Sequence, residues 1–161
     1  MIIDANGRIA DSSFSKDIIG TDRSDQEGFR VHVDSATDEL FISKPLIVKR
    51  NGKWAILLTR RITALDGTFA GTIAALLDPS ELGKHVGAID IGKDGSFALI
   101  GFDGVMRTRA VNGKISWSSI GQKLPSDTAL LGYAERAKSG HYWNKPGLID
   151  NTPRFISYRV L

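Results

Sequence analysis

The chain of 161 residues predicts an α+β fold built mostly from antiparallel hairpins, and three observations carry that prediction. Four Asn-Gly or Asp-Gly pairs lie between apolar or β-branched runs, at Asn6-Gly7, Asn51-Gly52, Asp66-Gly67 and Asp103-Gly104. Such pairs tolerate the positive φ angles of tight hairpin turns. Only three stretches have helical spacing. Finally, short motifs recur about a hundred residues apart, which suggests two copies of one module.

The turns imply strands over Met1–Asp4, Arg8–Ser12, Glu39–Lys49, Lys53–Thr63, Thr68–Asp78, Ser96–Gly101 and Val105–Ala110, with one more over Pro153–Leu161. The helical stretches are Asp22–Val33 (weakened by Gly28), Pro79–Val86 and Ser126–Lys138. In the last, Ser126 suits an N-cap and Gly140 a stop. The recurrence matches Ile3–Ile9 to Ile100–Met106, Ile19-Gly20 to Ile120-Gly121, and Trp54–Ile56 to Phe155–Ser157. The expected modules are therefore residues 1–86 and 87–161.

Composition narrows the function classes. Hydrophobic content is 42% and charged content 24%, so the chain has enough apolar residues for a packed core. The net charge of +3 is small, and Arg60-Arg61 and Lys49-Arg50 fall within strand patterns rather than on one basic surface, so no nucleic acid partner is expected. With no cysteine, thiol catalysis, disulfides and Cys-based metal sites are excluded. The three histidines, His32, His85 and His141, lack metal-ligand spacing. No nucleophile elbow or phosphate loop occurs. Neither catalysis, a metal nor a cofactor is expected. No apolar run reaches the roughly 18 residues of a membrane span.

Three stretches in order carry a family resemblance. The first is Gly7–Ser13 with Gly20-Thr21-Asp22 and Phe29-Arg30. The second is Leu40–Pro45 leading into Lys53–Ile62. The third is Asp66–Gly71, then Ile89–Gly92 and Gly101–Gly104. Together they resemble the double Cache sensors, whose two modules are PAS-like antiparallel sheets in tandem with helices packed on them. The resemblance implies a domain on the periplasmic side of the bacterial inner membrane, in a membrane-anchored receptor, binding a small molecule in its membrane-distal module. Arg60-Arg61-Ile62, Asp66–Gly71 and Ile89–Gly92 are most similar to sensors of GGDEF diguanylate cyclases, with histidine kinases next. A scaffold or regulatory subunit that binds a protein partner is the alternative. Relative to that family both ends read as truncated: the distal module lacks its N-terminal helix and the proximal one its final strand. The resulting bare surfaces lead us to expect a homodimer.

A two-residue turn at Asn51-Gly52 sets Ser43 opposite Arg60 and Pro45 opposite Leu58, so Phe41, Ser43 and Arg60 share a face. In the family the residues matching Phe41 and Ser43 point into the ligand pocket. Arg60 then either pairs with a small carboxylate there or ends a buried strand by reaching solvent or a protein carboxylate. Asp78 stands where amino-acid-binding relatives hold the ligand's amino group; its other reading is the N-cap of the helix that begins at Pro79. The family's amino-acid motif falls on Thr21, Gln26, Gly28 and Phe29, where only Phe29 is aromatic and the carboxylate-binding arginine is absent. Amino-acid sensing in that mode is thus not expected; Arg23 or Arg30 could substitute from nearby, but the commoner reading of each is a solvated charge on the helix face.

Overall fold

A computed structural model describes residues 1–35, 37–87, 89–125, 128–144 and 151–161, without the side chains of 85–87. The chain divides into two compact units, Met1–Glu81 and Leu82–Leu161. Both are α+β with antiparallel pairing throughout.

Unit 1 is a five-stranded sheet in the order β2-β1-β5-β4-β3, from β1 (Ile2–Asp4), β2 (Ile9–Asp11), β3 (Phe41–Val48), β4 (Lys53–Thr63) and β5 (Phe69–Leu77). One helix, α1 (Glu27–Val33), lies across one face. It is shorter than the Asp22–Val33 expected, because Asp22 is spent on a bridge to Arg8 and Arg23 donates its amide to Gly7 O. The core of the unit is Ile3, Ile9, Phe29, Leu57 and Ala74, with Phe69 set edge-on to Phe29 at 5.5 Å. The opposite face stays open, with the cross-strand neighbours Ile2 and Ile73 about half exposed. A second helix, α2 (Pro79–Gly87), follows β5.

Turn chemistry explains both the hits and the misses. Residues Lys49–Gly52 form a four-residue turn, so Val48 rather than Arg50 faces Lys53 and the ladder slips by two. Pro45 then faces Ile56, not Leu58. At Asp66-Gly67 the loop is three residues long, closed by Ala64 N to Thr68 O. A bulge follows, and Gly71 sits there at φ 129, where a Cβ would strike Ile3 O. Loop and bulge cancel, which brings Leu77 opposite Ile56.

Unit 2 contains a three-stranded sheet, β6 (Ser96–Ile100), β7 (Met106–Val111) and β8 (Lys114–Ile115), and a separate hairpin, β9 (Ser139–Asn144) with β10 (Arg154–Arg159). Helix α3 spans Ala129–Arg136; Ser126, its expected cap, lies outside the described residues. Gly140 is not the helix stop. It lies inside β9, under the Tyr158 ring, where a side chain would clash with it.

The two units share one backbone corner. Ile9 N donates to Thr21 O and Gly20 N to Ile9 O; Met106 N donates to Gln122 O and Gly121 N to Met106 O. Likewise Arg23 N to Gly7 O is repeated as Leu124 N to Gly104 O. The bridge Arg8 to Asp22 has its counterpart in Val105 to Lys123. The offset between equivalent residues changes from 97 to 101 within this corner, and the four added residues accommodate the Asn112-Gly113 turn and β8. Both turn residues have positive φ, 49° and 72°, and Val111 faces Lys114, the geometry of a two-residue hairpin.

Candidate functional site

Helix α1 is the element around which unit 1 could hold a ligand. Gly28 lets it approach β4 closely, since a Cβ there would lie 2.9 Å from Leu57 and 3.3 Å from Thr59. His32 is buried and its Nε2 lies 3.0 Å from Thr59 Oγ1. Arg61 holds the helix's end: its guanidinium donates to the carbonyls of His32 and Val33 and stacks over the Phe69 ring at 4.8 Å. A cation on the last carbonyls is the favourable sign for a helix C-terminus. The helix is thus pinned at both ends, with an open groove on either side.

The larger groove, about 370 Å³, runs between α1 and the β1–β2 turn, against Asn6, Ser24, Phe29, Arg30, Val33 and Asp34. That volume is at the low end of the range for small-molecule sites. The smaller, about 140 Å³, lies between α1 and the start of β3, against Val31, His32, Glu39, Leu40 and Phe41. Ser24 also shapes its own corner. Its amide and hydroxyl hydrogen-bond Asp22, holding that carboxyl below its ordinary value.

The six residues singled out in the sequence do not converge. Phe29 and Arg30 line the larger groove and Phe41 the smaller. Ser43 and Arg60 are not neighbours facing one pocket, and a β-bulge between Ile42 and Pro45 is the reason. The bulge inserts a residue into β3 and reverses which side chains face which way. Beyond it Phe41 faces Thr59, on the side covered by α1, while Arg60 faces Ile73 on the open side. Arg60 Nε there meets Asp38 Oδ1 at 2.6 Å, so it takes the protein carboxylate that was one of its two readings. Ser43 is used by the bulge itself: its hydroxyl accepts from Leu57 N at 2.9 Å and donates to Lys44 O at 2.7 Å. Asp78 accepts from Ser80 N at 2.8 Å, the hydrogen bond of a helix cap.

The sequence reading missed the flanks of α1. Asp34 and Ser24 line the larger groove without belonging to any motif, and Asn6 lines it although the sequence marks it only as a turn residue. His32, one of the three histidines without metal-ligand spacing, is buried and also walls the smaller groove. Among the described residues no group of three or more His, Asp or Glu side chains is gathered as a metal site. No helix there is long and apolar enough to cross a membrane.

No family model matches the chain, and no curated protein matches it either. Solved structures do. The extracellular domain of rpHK1S-Z16, described as a histidine kinase, superposes with a TM-score of 0.80 at 25% identity over 98% of this chain. An extracellular ligand-binding receptor from Desulfohalobium retbaense matches with a TM-score of 0.64 at 20% identity over 96% of the chain. The ligand-binding domain of the Pseudomonas fluorescens chemoreceptor CtaA, solved with L-serine, matches with a TM-score of 0.56 at 15% identity over 96%. This chain spans 63%, 28% and 61% of those three chains respectively. The protein therefore has the fold of the extracellular ligand-binding domains by which bacterial kinases and chemoreceptors sense their surroundings.

Proposed function

We propose that the chain is the extracytoplasmic sensing part of a bacterial transmembrane receptor, with unit 1 as the membrane-distal, ligand-taking Cache-like module and unit 2 as the membrane-proximal one. The observation that carries this reading is the match over 98% of the chain to a kinase's extracellular domain. The two grooves described above add to it, because both lie in unit 1, the unit assigned the ligand. The ligand is a small molecule with a carboxylate, seated beside α1 in the larger groove, where Phe29 supplies an apolar wall and Arg30 a guanidinium, while Phe41 lies in the smaller groove. Arg60, Ser43 and Asp78 are taken up by Asp38, the β3 bulge and the α2 cap and do not touch the ligand in this reading.

The output we propose is a diguanylate cyclase, on the resemblance of Arg60-Arg61-Ile62, Asp66–Gly71 and Ile89–Gly92 to sensors of that class. A histidine kinase output is the second reading, and the rpHK1S-Z16 match favours it. Assaying the full-length receptor in membranes separates the two, since ligand would alter cyclic dinucleotide formation from GTP in one case and histidine phosphorylation in the other.

A thermal-shift screen of organic acids and amino acids tests the sensing itself. A ligand at 100 times its Kd should stabilise the protein by about 2.7 kcal/mol. If no compound of a broad small-molecule library shifts the melting of the chain, the sensing reading fails.

A further inference from the structure

The corner shared by the two units offers an internal control for the larger groove. In unit 2 a helix side chain reaches the turn: the atom nearest to a Cβ built on Gly104 is Leu131 Cδ1, at 3.3 Å. At the corner's offset of 101 residues, the position equivalent to Leu131 is Arg30. In unit 1 the same space is open, and Arg30 lines it together with Asp34. Among the described residues, neither side chain has a hydrogen-bond or ion-pair partner, and the two do not pair with each other.

Stability does not account for this pair. A carboxylate at the C-cap, where Asp34 sits, opposes the helix dipole. An acid placed after the base at i,i+4 is also the weaker order for a helix ion pair. The groove's wall, by contrast, is firmly built. Gly7 adopts φ +81 and packs so closely on Ser24 that a Cβ would lie 2.6 Å from its Cα, and Arg23 N bonds to Gly7 O at 2.7 Å. The floor is apolar, with Phe29 in the core.

We propose that this groove binds a small zwitterion whose two charges are spaced along a short apolar chain. The carboxylate lies on the Arg30 fork, the ammonium on Asp34, and the chain over Phe29 and Val33. The charges of the site stand one helical turn apart, about 5–6 Å between Cβ atoms. An ω-amino acid spans that distance better than an α-amino acid, whose charges are adjacent. A dicarboxylate is opposed by Asp34 and a diamine by Arg30. The inference rests on the sensing reading above but commits that reading to one groove and one ligand pattern.

Calorimetric titration of the 161-residue chain with 5-aminopentanoate, pentanoate and pentylamine tests it. The expected result is binding of 5-aminopentanoate at least tenfold tighter than either half-molecule. Arg30→Leu, which installs the side chain of unit 2 at this place, should abolish binding while leaving the melting temperature unchanged or higher. Asp34→Asn should weaken 5-aminopentanoate at least tenfold and leave pentanoate unchanged or slightly tighter. Arg30→Gln, with its smaller change of shape, repeats the first test should Arg30→Leu fold poorly. Absence of 5-aminopentanoate binding, equal affinity for pentanoate, or binding indifferent to both Arg30 variants would overturn the proposal. A different library compound binding with those variants intact would overturn it too, while leaving the sensing reading standing.

Discussion

The two units build one corner with different side chains. In unit 1 the turn is closed by Asp4, whose Oδ1 accepts the amides of Asn6 and Arg8 at 2.9 Å each. The equivalent of Asp4 in unit 2 is Gly101, and the carboxylate has moved to Asp103, the equivalent of Asn6. Asp103 accepts Val105 N and also grips Arg107 through two bonds of 2.8 and 3.0 Å. Arg107 is almost fully buried against Gly101, where a Cβ would lie 2.6 Å from its Cζ. A solvent-facing turn in one unit is thus a partly buried ion pair in the other. Backbone hydrogen bonds fix this corner, and the side chains around it are free to become either packing or site.

Asp103→Ala should have the largest effect. It leaves the Arg107 guanidinium with Val105 O as its remaining partner among the described residues, where its Nε already lacks one. Breaking a fully buried pair from one side costs about 3–5 kcal/mol, and with Asp103 partly exposed the loss should fall at or below the lower end of that range. Asn6→Ala, at the equivalent exposed position, should stay within about 0.5 kcal/mol. Denaturant melts of both variants compare the two corners directly, and equal losses would mean that the ion pair is not what holds unit 2's turn.

The glycines come next. Both Gly7 and Gly104 have positive φ, so alanine at either costs about 1–2 kcal/mol of backbone strain. At Gly7 the added methyl also strikes the backbone of Ser24, whereas at Gly104 it meets only the tip of Leu131. Gly7→Ala should therefore destabilise more than Gly104→Ala, by at least about 1 kcal/mol for the overpacking. The reverse order in thermal melts would show that the unit 1 corner relaxes more easily than its contacts indicate.

The smallest difference is one of pH. The corner bridge in unit 1 ends on Asp22, and that in unit 2 on Lys123. Ser24's hydrogen bonds hold the Asp22 carboxyl below its ordinary 3.8 in the folded chain. The depressed value belongs to the folded state, so its contribution is complete above about pH 3.8 and is lost as the pH falls through the folded value. Acid should loosen the unit 1 corner through Asp22. Hydrogen exchange at the Ile9 amide should accelerate in acid relative to the intrinsic rate, and less so in Asp22→Asn; equal acceleration in both chains would rule the carboxylate out as the cause.

Most of the architecture was legible because it rests on local chemistry. Lys53–Thr63 was bounded correctly from its apolar run and flanking turns, and the repeated corner was visible in Ile19-Gly20 and Ile120-Gly121. Asn112-Gly113 carries the same two-residue signal as the turns that were recognised and was passed over, together with β8. The site was less legible. Whether Phe41 shares a face with Arg60 depends on the bulge at Ser43 and Lys44, and that bulge is stabilised by Leu57, fourteen residues away. No local pattern encodes it. Arg30 was visible as a charge near the site, but its meaning depends on Leu131 reaching the turn from the same place in the other unit.

That bulge also bears on how the protein behaves in concentrated solution. β3 is the outer strand of its sheet and carries Ile42 and Ile47 about half exposed, a sequence that would otherwise template fibre growth. The bulge breaks the outward row of donors and acceptors, and Pro45 removes one donor from the strand altogether. A second chain therefore cannot zip a strand along this border.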